Sequence, residues 1–182
     1  DIDFRTTEFN GVKANFNRSV ADDGFWDFTG CEVRNGKMTF KKVGFGFGRV
    51  DFSETIFEDS DLNLSRAETM DALLIFEKAN IHNLDLSYCF FNRYLNFRMS
   101  KACSIDLSNA VIRDILDMHL PEGGVPVPII NFTDMSLPGL LYIDWRKNEV
   151  EKVVYNQKEQ TTHYQKATQF LMLKENFNRN GQ

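Results

Sequence analysis

The chain has 182 residues, with 21 Lys or Arg against 26 Asp or Glu, so its formal net charge is −5. This length suits one domain with an appendage. The acidic balance argues against direct nucleic-acid binding, and no apolar run reaches the roughly 18 residues that a membrane span requires.

The amino-terminal segment carries a five-residue pattern, in which a small or apolar residue precedes a larger apolar residue by two positions. The units are Ile2-Asp3-Phe4, Thr7-Glu8-Phe9, Ala14-Asn15-Phe16, Ser19-Val20-Ala21, Trp26-Asp27-Phe28 and Cys31-Glu32-Val33. The pattern is lost between Gly36 and Gly48, where different alignments bury Met38, Phe40, Val43, Phe45 or Phe47, and some would bury Lys41 or Lys42. Because a buried, unpaired lysine is costly, we expect an irregular coil or a bulge there.

From Val50 to Ile112 the same pattern is regular, and thirteen units fit if one residue is lost before Phe76 and one gained before Phe97. An α-helix requires apolar residues at a mean spacing of 3.6 and a half-buried strand requires alternation, so a sustained spacing of five excludes both. Self-similarity at a fixed period indicates a stacked repeat architecture.

Two units, Ala79-Asn80-Ile81-His82-Asn83 and Ala14-Asn15-Phe16-Asn17-Arg18, match closely the consensus of the pentapeptide-repeat family, which is bacterial. The chain resembles that family. The resemblance implies an all-β solenoid, a right-handed quadrilateral β-helix in which each unit forms one side, four units form one coil, and the first and third positions point inward. The segment from Ile2 to Ile112 would then form about five to six coils at a spacing of roughly 4.8 Å.

In this architecture the third positions form the core, and the 17 Phe against only 2 Trp are explained as rings that stack on their equivalents in the next coil. The predicted core residues are Phe52, Phe57, Leu62, Phe76, Ile81, Leu86, Phe91, Phe97, Leu107 and Ile112. Cys31 and Cys89 fall on inward first positions, where a free thiol behaves as a small hydrophobe. The three cysteines suggest neither a metal site nor a disulfide, and a reducing compartment is the simpler interpretation.

Charge is segregated along the predicted solenoid. Asp51 to Glu77 holds eight acids against Arg66 alone, whereas Arg34 to Arg49 holds five bases and no acid. One interpretation is that the polar positions of each unit simply face water. The alternative is a binding surface, because charges grouped by sign steer partners. Its candidate residues are Asp51, Glu54, Glu58, Asp59, Asp61 and Asp71.

No catalytic or cofactor motif is found. The glycine-rich segment from Gly44 to Gly48 is neither a dinucleotide fingerprint nor a phosphate loop, and the three His lack the spacing of a metal-binding helix. Some larger β-helices cleave polysaccharides with carboxylates on stacked strands, so Asp51 and Asp71 would need checking if they lay one coil apart. We predict no enzymatic activity, no cofactor and no metal.

After Ile112 the pattern fades. We assign residues 1–117 to the β-helix, 118–155 to a loop and capping segment, and 156–182 to an amphipathic helix. The capping segment contains a breaker-rich loop from Pro121 to Pro128 and two extended stretches, and we expect it to cover the exposed last coil.

The carboxy-terminal segment has the sequence features of an amphipathic helix. Thr162 and Gln165 form a capping box, apolar residues follow at three- and four-residue steps, and Asn180-Gly181 is a stop signal. The stretch from Gln169 to Phe177, together with Gly181 and Gln182, resembles the segment that precedes predicted membrane spans in membrane-associated pentapeptide-repeat proteins. This helix is expected to dock on the solenoid flank; the alternatives are a dimer helix, giving a homodimer through the carboxy-terminal region, or a connector to a membrane part.

The functional expectation is a non-enzymatic protein-interaction or scaffolding module with an unidentified protein partner. It would be cytoplasmic, or the soluble part of a membrane-tethered protein at the cytoplasmic face. Because some pentapeptide-repeat proteins resemble B-form DNA and protect type II topoisomerases, the alternative is a DNA mimic. A polysaccharide-active enzyme is the remaining alternative.

Overall fold

The computed structural model describes residues 1–157 and 161–181, and it confirms the right-handed quadrilateral β-solenoid, with about six turns followed by helical structure. The strands are β1 (Ile2–Asp3), β2 (Glu8–Asn10), β3 (Lys13–Asn15), β4 (Val20–Ala21), β5 (Phe25–Asp27), β6 (Glu32–Arg34), β7 (Lys37–Thr39), β8 (Gly44–Phe45), β9 (Arg49–Asp51), β10 (Ile56–Asn63), β11 (Glu68–Thr69), β12 (Leu73–Ile75), β13 (Asn80–Asp85), β14 (Phe90–Phe91), β15 (Leu95–Asn96), β16 (Lys101–Asp106), β17 (Val111–Ile112), β18 (Ile115–Asp117), β19 (Ile129–Asn131) and β20 (Leu140–Tyr142). The helices are α1 (Val150–Tyr155) and α2 (His163–Asn180).

Three parallel sheets form the walls of the solenoid. Sheet A has the order β1-β5-β9-β12-β15-β18-β20, and sheet C has the order β17-β14-β11-β8-β4. Sheet B runs β19-β16-β13-β10-β6-β2, with β3 and β7 on a second branch. In the early coils sheet B therefore covers two sides of the quadrilateral, β2 and β6 on one and β3 and β7 on the next.

The coils are longer than the predicted four equal units. The residues that occupy equivalent places in successive coils of sheet A are Ile2, Trp26, Val50, Leu74, Leu95, Leu116 and Leu141. The first three intervals are equal, the next two are shorter, and the last is the longest. The longer early coils contain a bulge within sheet B, since five residue steps separate Phe57 from Leu62, whereas three separate their partners Ile81 and Leu84. The expectation that four equal units make one coil is therefore wrong.

The predicted inward positions are confirmed at all thirteen third positions between Val50 and Ile112. Each of these residues, including the ten predicted core residues, is at most 3% exposed: Phe52, Phe57, Leu62, Ala67, Ala72, Phe76, Ile81, Leu86, Phe91, Phe97, Ala102, Leu107 and Ile112. Three predicted first positions, Ser65, Met70 and Ser100, do not point inward. Their neighbours Leu64, Thr69 and Met99 are buried instead, because the uneven coil lengths shift the local register.

Phenylalanine rings stack along one corner of the solenoid. The corner rings are Phe4, Phe28, Phe52, Phe76 and Phe97, with centroid distances of 5.4, 4.8, 5.1 and 4.9 Å between successive rings. The first three pairs are stacked and the last is edge-on. Aromatic pairs at these distances contribute about 0.5–1.5 kcal/mol each beyond the burial of their area, so the Phe-rich composition is explained by the core.

The segment between Gly36 and Gly48 is more regular than predicted. Met38, Phe40, Val43 and Phe45 point into the core, whereas Phe47 is exposed. Lys41 and Lys42, which some alignments would have buried, are both exposed. Neither lysine charge therefore lies in the core. The glycines allow close contact between coils: at Gly48, where φ is 110°, a Cβ would collide with the carbonyl oxygen of the coil below.

The solenoid does not end at Asp117 as predicted. The two extended stretches of the predicted capping segment add parallel strands to the existing sheets, since β19 pairs with β16 and β20 pairs with β18. They form one further coil. The sequence did not predict this coil because the repeat is no longer recognisable there. The cap begins only afterwards, with α1 and α2.

The predicted capping box of α2 is confirmed. Thr162 accepts a hydrogen bond from the Gln165 backbone and the Gln165 side chain accepts from the Thr162 backbone, while Gly181 ends the helix with φ at 68°. The predicted segment 156–182 includes residues 158–160 and 182, which lie outside the described residues. The helix lies across the end of the solenoid rather than along its flank, with Leu173 fully buried.

Side-chain amides replace the missing next coil at this end. Asn176 Oδ1 accepts from the Leu141 N–H at 2.9 Å and its Nδ2 donates to the Leu141 carbonyl at 2.7 Å. Gln169 accepts from the Phe132 N–H at 3.1 Å, and Gln157 donates to the Ile130 carbonyl at 2.7 Å. Buried backbone groups without partners are costly, so these amides stabilise the last strands and close the stack.

Candidate interaction surfaces

The six predicted surface acids do not form one surface. Asp51 lies on β9 of sheet A, Glu54 in the turn after it, Glu58, Asp59 and Asp61 on β10 of sheet B, and Asp71 just after β11 of sheet C. The set is therefore distributed around the solenoid. Asp51 is only 2% exposed, so its assignment to an interaction surface is wrong.

Many acids at the second position of the repeat have a structural role. The Asp51 carboxylate accepts a hydrogen bond from the Ser53 backbone N–H at 2.8 Å and is paired with Arg49. Asp85 likewise accepts from the Ser87 N–H at 3.0 Å. Such Asx turns are the reason why Asp and Asn favour turns. The acids at these places are therefore explained by the corners of the coil.

Asp51 and Asp71 do not stack, although their spacing in the sequence suggested it. Because the coil is longer than four units at this point, Asp51 pairs with Asp27 and Ile75 in the neighbouring coils. Asp71 follows another sheet and lies 3.6 Å from Arg93. The carboxylate pair that motivated the polysaccharidase alternative is thus not brought together.

Charges that are segregated along the sequence alternate in space. The basic segment from Arg34 to Arg49 belongs to the coil directly before the acidic one, and two of its bases lie beside an acid one coil away. The pairs are Arg34 with Glu58 at 3.5 Å, Lys37 with Asp61 at 4.0 Å, and, with the following coil, Glu77 with Arg98 at 3.9 Å. Such exposed pairs stabilise weakly, and they offset only part of the predicted separation of charge along the rod.

A different surface stands out on the structure. Arg18, Lys42 and Arg66 occupy the same turn in three successive coils, at the corner that leads into sheet C, and Tyr88 occupies it in the next coil. All four have φ between 58° and 62°. The three cations are exposed, so they form a basic row with about 4.8 Å between coils.

Exposed apolar side chains lie beside this row, on sheet C and at both of its corners. Val20, Phe47, Met70 and Tyr88, all on sheet C or at its corners, are each more than half exposed. The Arg66 guanidinium lies 5.5 Å from the Tyr88 ring centroid. We call the surface formed by Arg18, Lys42, Arg66, Val20, Phe47, Met70 and Tyr88 the basic-aromatic face.

The absence of a side chain at Gly44 leaves a depression in this face. It has a volume of about 370 Å³ and is lined by Lys42, Val43, Gly44, Arg66 and Glu68. A Cβ at Gly44 would meet nothing within 4 Å, so glycine is not required there by packing. Sequence reasoning missed the basic-aromatic face because its members lie about one coil apart in the chain, and the coil length was unknown.

A second depression, about 410 Å³, lies between the last coil and α2 and is lined by His119, Ile143, Asp144, Trp145 and Phe177. His119 Nδ1 lies 2.7 Å from Asp117 Oδ1, and the Tyr94 hydroxyl donates to Asp117 Oδ2 at 3.0 Å. Burial, with Asp117 as the second cause, raises the pKa of Tyr94 to about 12. The described lining residues include no Ser, Thr, Cys or Lys, and Asp117 also forms an Asx turn with the His119 N–H, so a structural role accounts for the cluster.

The cysteines fit the predicted small inward positions. Cys31 and Cys89 are buried, and their thiols donate to the carbonyl oxygens of Phe4 and Leu64. Burial raises the pKa of Cys31 to about 11, and it raises the pKa of Cys89 further. Cys103 is half-buried.

Within residues 1–157 and 161–181 there is no cluster of three or more His, Cys, Asp or Glu side chains arranged to hold a metal ion. The helices described do not include one whose length and apolar character would let it cross a bilayer. Comparison with family models, with curated proteins and with solved structures gives no match to this chain.

Proposed function

We propose that this chain is a non-enzymatic protein-interaction or scaffolding module that binds an acidic protein partner through the basic-aromatic face. The observation that carries the proposal is the row of three exposed cations beside exposed aromatic and aliphatic side chains. Arg and aromatic residues are enriched at interfaces, where they supply most of the binding energy. Elsewhere on the solenoid, by contrast, many of the acids and bases are already paired between coils.

Membership of the pentapeptide-repeat family and a cytoplasmic location remain part of this proposal, as does a scaffold at the cytoplasmic face of a membrane. The parallel solenoid with inward third positions supports the family proposal. Dimerisation through the carboxy-terminal region is less favoured, because the amides of α2 already satisfy the backbone of the last coil.

The DNA-mimic alternative requires a continuous negative surface. The ion pairs between coils and the basic row both interrupt such a surface. A gyrase supercoiling assay with added protein tests this alternative: dose-dependent inhibition at stoichiometric amounts would replace the proposed function with topoisomerase inhibition, and unchanged supercoiling would remove the mimic.

The proposed face is tested with a short, fluorescently labelled glutamate-rich peptide in an anisotropy titration. Lys42→Glu reverses the charge at the centre of the basic row. Lys78→Glu is the matched control, because Lys78 is also exposed and occupies an equivalent turn at another corner, with φ at 57° against 58° for Lys42. We expect at least about a tenfold loss of affinity for Lys42→Glu, corresponding to about 1.4 kcal/mol, and no change for Lys78→Glu.

Equal loss in both variants would show that only net charge is sensed, and the basic-aromatic face would be rejected. A DNA duplex of matched charge serves as the competitor. Stronger binding of the duplex than of the peptide would contradict the proposed protein partner and favour a nucleic-acid ligand.

A further inference from the structure

Sheet C lies between two borders of opposite charge in the coils that carry the basic row. The basic row follows the corner that leads into the sheet. The corner at which the strands of sheet C end carries three exposed acids, which we call the acidic border: Asp22, Asp23 and Asp71. Asp71 is also paired with Arg93 of the next coil at 3.6 Å, so the acidic border ends there. A ligand that lies along this side of the solenoid therefore meets cations on one border and anions on the other.

The cations of the basic row are spaced much as the turns of an α-helix are. Successive coils lie about 4.8 Å apart and one helical turn rises about 5.4 Å, so acids on successive turns stay within about 1.2 Å of register over the row. An extended strand along the solenoid axis repeats its facing side chains only every 6.6 Å or about that, and its error grows to about 4 Å. A strand that crosses the coils would meet a single cation. The spacing therefore favours a helix that runs along the axis.

The width of this side also suits a helix. Four residue steps separate Arg66 from Met70, which is at most about 13 Å of extended backbone, and a helix with its side chains is about 10–12 Å across. The depression at Gly44, about 370 Å³, lies beside the middle of the basic row and has room for a large apolar side chain of the helix. Glu68 lines the same depression and repels a second acid. The acids of the helix are therefore confined to the edge that faces the basic row.

On the basis of the proposed function of the basic-aromatic face, we propose that its partner is an amphipathic α-helix lying along the solenoid axis across sheet C. One edge of this helix carries acids at i, i+4 and i+7, which pair with the basic row. The opposite edge is basic and faces the acidic border. The apolar residues between the two edges cover Val20 and fill the Gly44 depression, in the manner of helix-in-groove recognition.

The helices of this chain do not match the pattern. The described helix α2 contains one Asp or Glu against three Lys or Arg. Helix α1 has 6 residues, which is too short to span i to i+7. The partner helix is therefore supplied by a different protein rather than by α1 or α2 of a second copy.

Two labelled peptides of identical composition and net charge test the helix. In the first, glutamate recurs at i, i+4 and i+7, lysine lies on the opposite edge and leucine lies between them; in the second, the same residues alternate as in a strand. In anisotropy titrations with the full chain we expect the first peptide to bind at least about tenfold more tightly, and circular dichroism should show that it gains helix on binding. Lys42→Glu should weaken the first peptide at least about tenfold, whereas the control Lys78→Glu should not.

Gly44→Phe tests the depression. A Cβ at Gly44 meets nothing within 4 Å, so the coil accommodates the ring without moving. The ring occupies the space of the facing apolar side chain and holds the helix away from the basic row, so the first peptide should lose at least about tenfold in affinity. Asn10→Phe is the matched control, because it adds the same ring at an exposed position of β2 in sheet B. Circular dichroism establishes that each variant is folded.

The outcomes separate the helix from the face that it binds. Equal or tighter binding of the strand-patterned peptide, or unchanged binding of the first peptide to Gly44→Phe, would overturn the helical partner. If Lys42→Glu still weakened both peptides in that case, the basic-aromatic face itself would stand. Binding that Lys42→Glu leaves unchanged, or no binding of either peptide, would reject the face and the helix together.

Discussion

Asn176→Leu is expected to destabilise the carboxy-terminal end of the solenoid although it removes no apolar contact. Leu has the same branching and number of heavy atoms as Asn but cannot hydrogen-bond, so the Leu141 N–H loses its acceptor at 2.9 Å in a site where Asn176 is fully buried. The Leu141 carbonyl keeps its bond from Asn180 at 2.9 Å. The loss is therefore that of one orphaned backbone donor, about 1–3 kcal/mol.

The matched control is Asn178→Leu, the same change two residues further along α2 at an exposed position. Its effect should stay within about 0.5 kcal/mol. Because repeat proteins can unfold from one end, the assay is amide hydrogen exchange at Leu141 together with urea unfolding. Exchange should accelerate about 10- to 100-fold in Asn176→Leu alone. Equal stability and equal exchange in the two variants would refute the role assigned to the amides.

Three other outcomes follow from the core and its titratable groups. Phe52→Ala should lower the free energy of unfolding by about 3–5 kcal/mol in urea titrations, while Phe47→Ala, at an exposed site, should change it little. Burial raises the pKa of the Cys89 thiol, so iodoacetamide at pH 8 should modify Cys103 well before Cys89 in the folded protein. Because the folded state keeps the Cys89 thiol protonated, its contribution to the free energy of unfolding is lost as the pH rises above the unfolded thiol pKa of about 8.5. In an ultraviolet pH titration Tyr94 should ionise last of the five tyrosines, near pH 12, and its ionisation together with the others would contradict the burial argument.

The sequence predicts the solenoid and its core because both depend on local periodicity. The predicted third positions from Phe52 to Ile112 are buried without exception, whereas three predicted first positions are not, because the extra residues of the longer coil shift the register. The capping box at Thr162 is equally local and is confirmed. The last coil was missed because the repeat fades, so that only its hydrogen bonds to earlier strands identify it.

The candidate surface could not be predicted in the same way, because it depends on which residues stack. The observed coil length places Lys42 beside Arg18 and Arg66, whereas a coil of four equal units would bring other residues together. The bulge that lengthens the coil lies near Asp59, whose φ of 47° is unusual for a residue other than glycine. The five-residue reading did not detect the extra residues, because it took Leu62 as a third position, whereas Leu62 pairs with the first position Leu84.

The closure of the carboxy-terminal end determines whether the solenoid can be extended there. A primary amide carries both a donor and an acceptor, as a peptide group does. Asn176 therefore hydrogen-bonds to both the N–H and the carbonyl of Leu141, as a further strand would, but it presents no strand edge with which another chain could pair. Head-to-tail stacking would need both ends open and would continue into a filament. We therefore expect that removing the amide cap exposes the strand edge of the last coil and favours end-to-end association there.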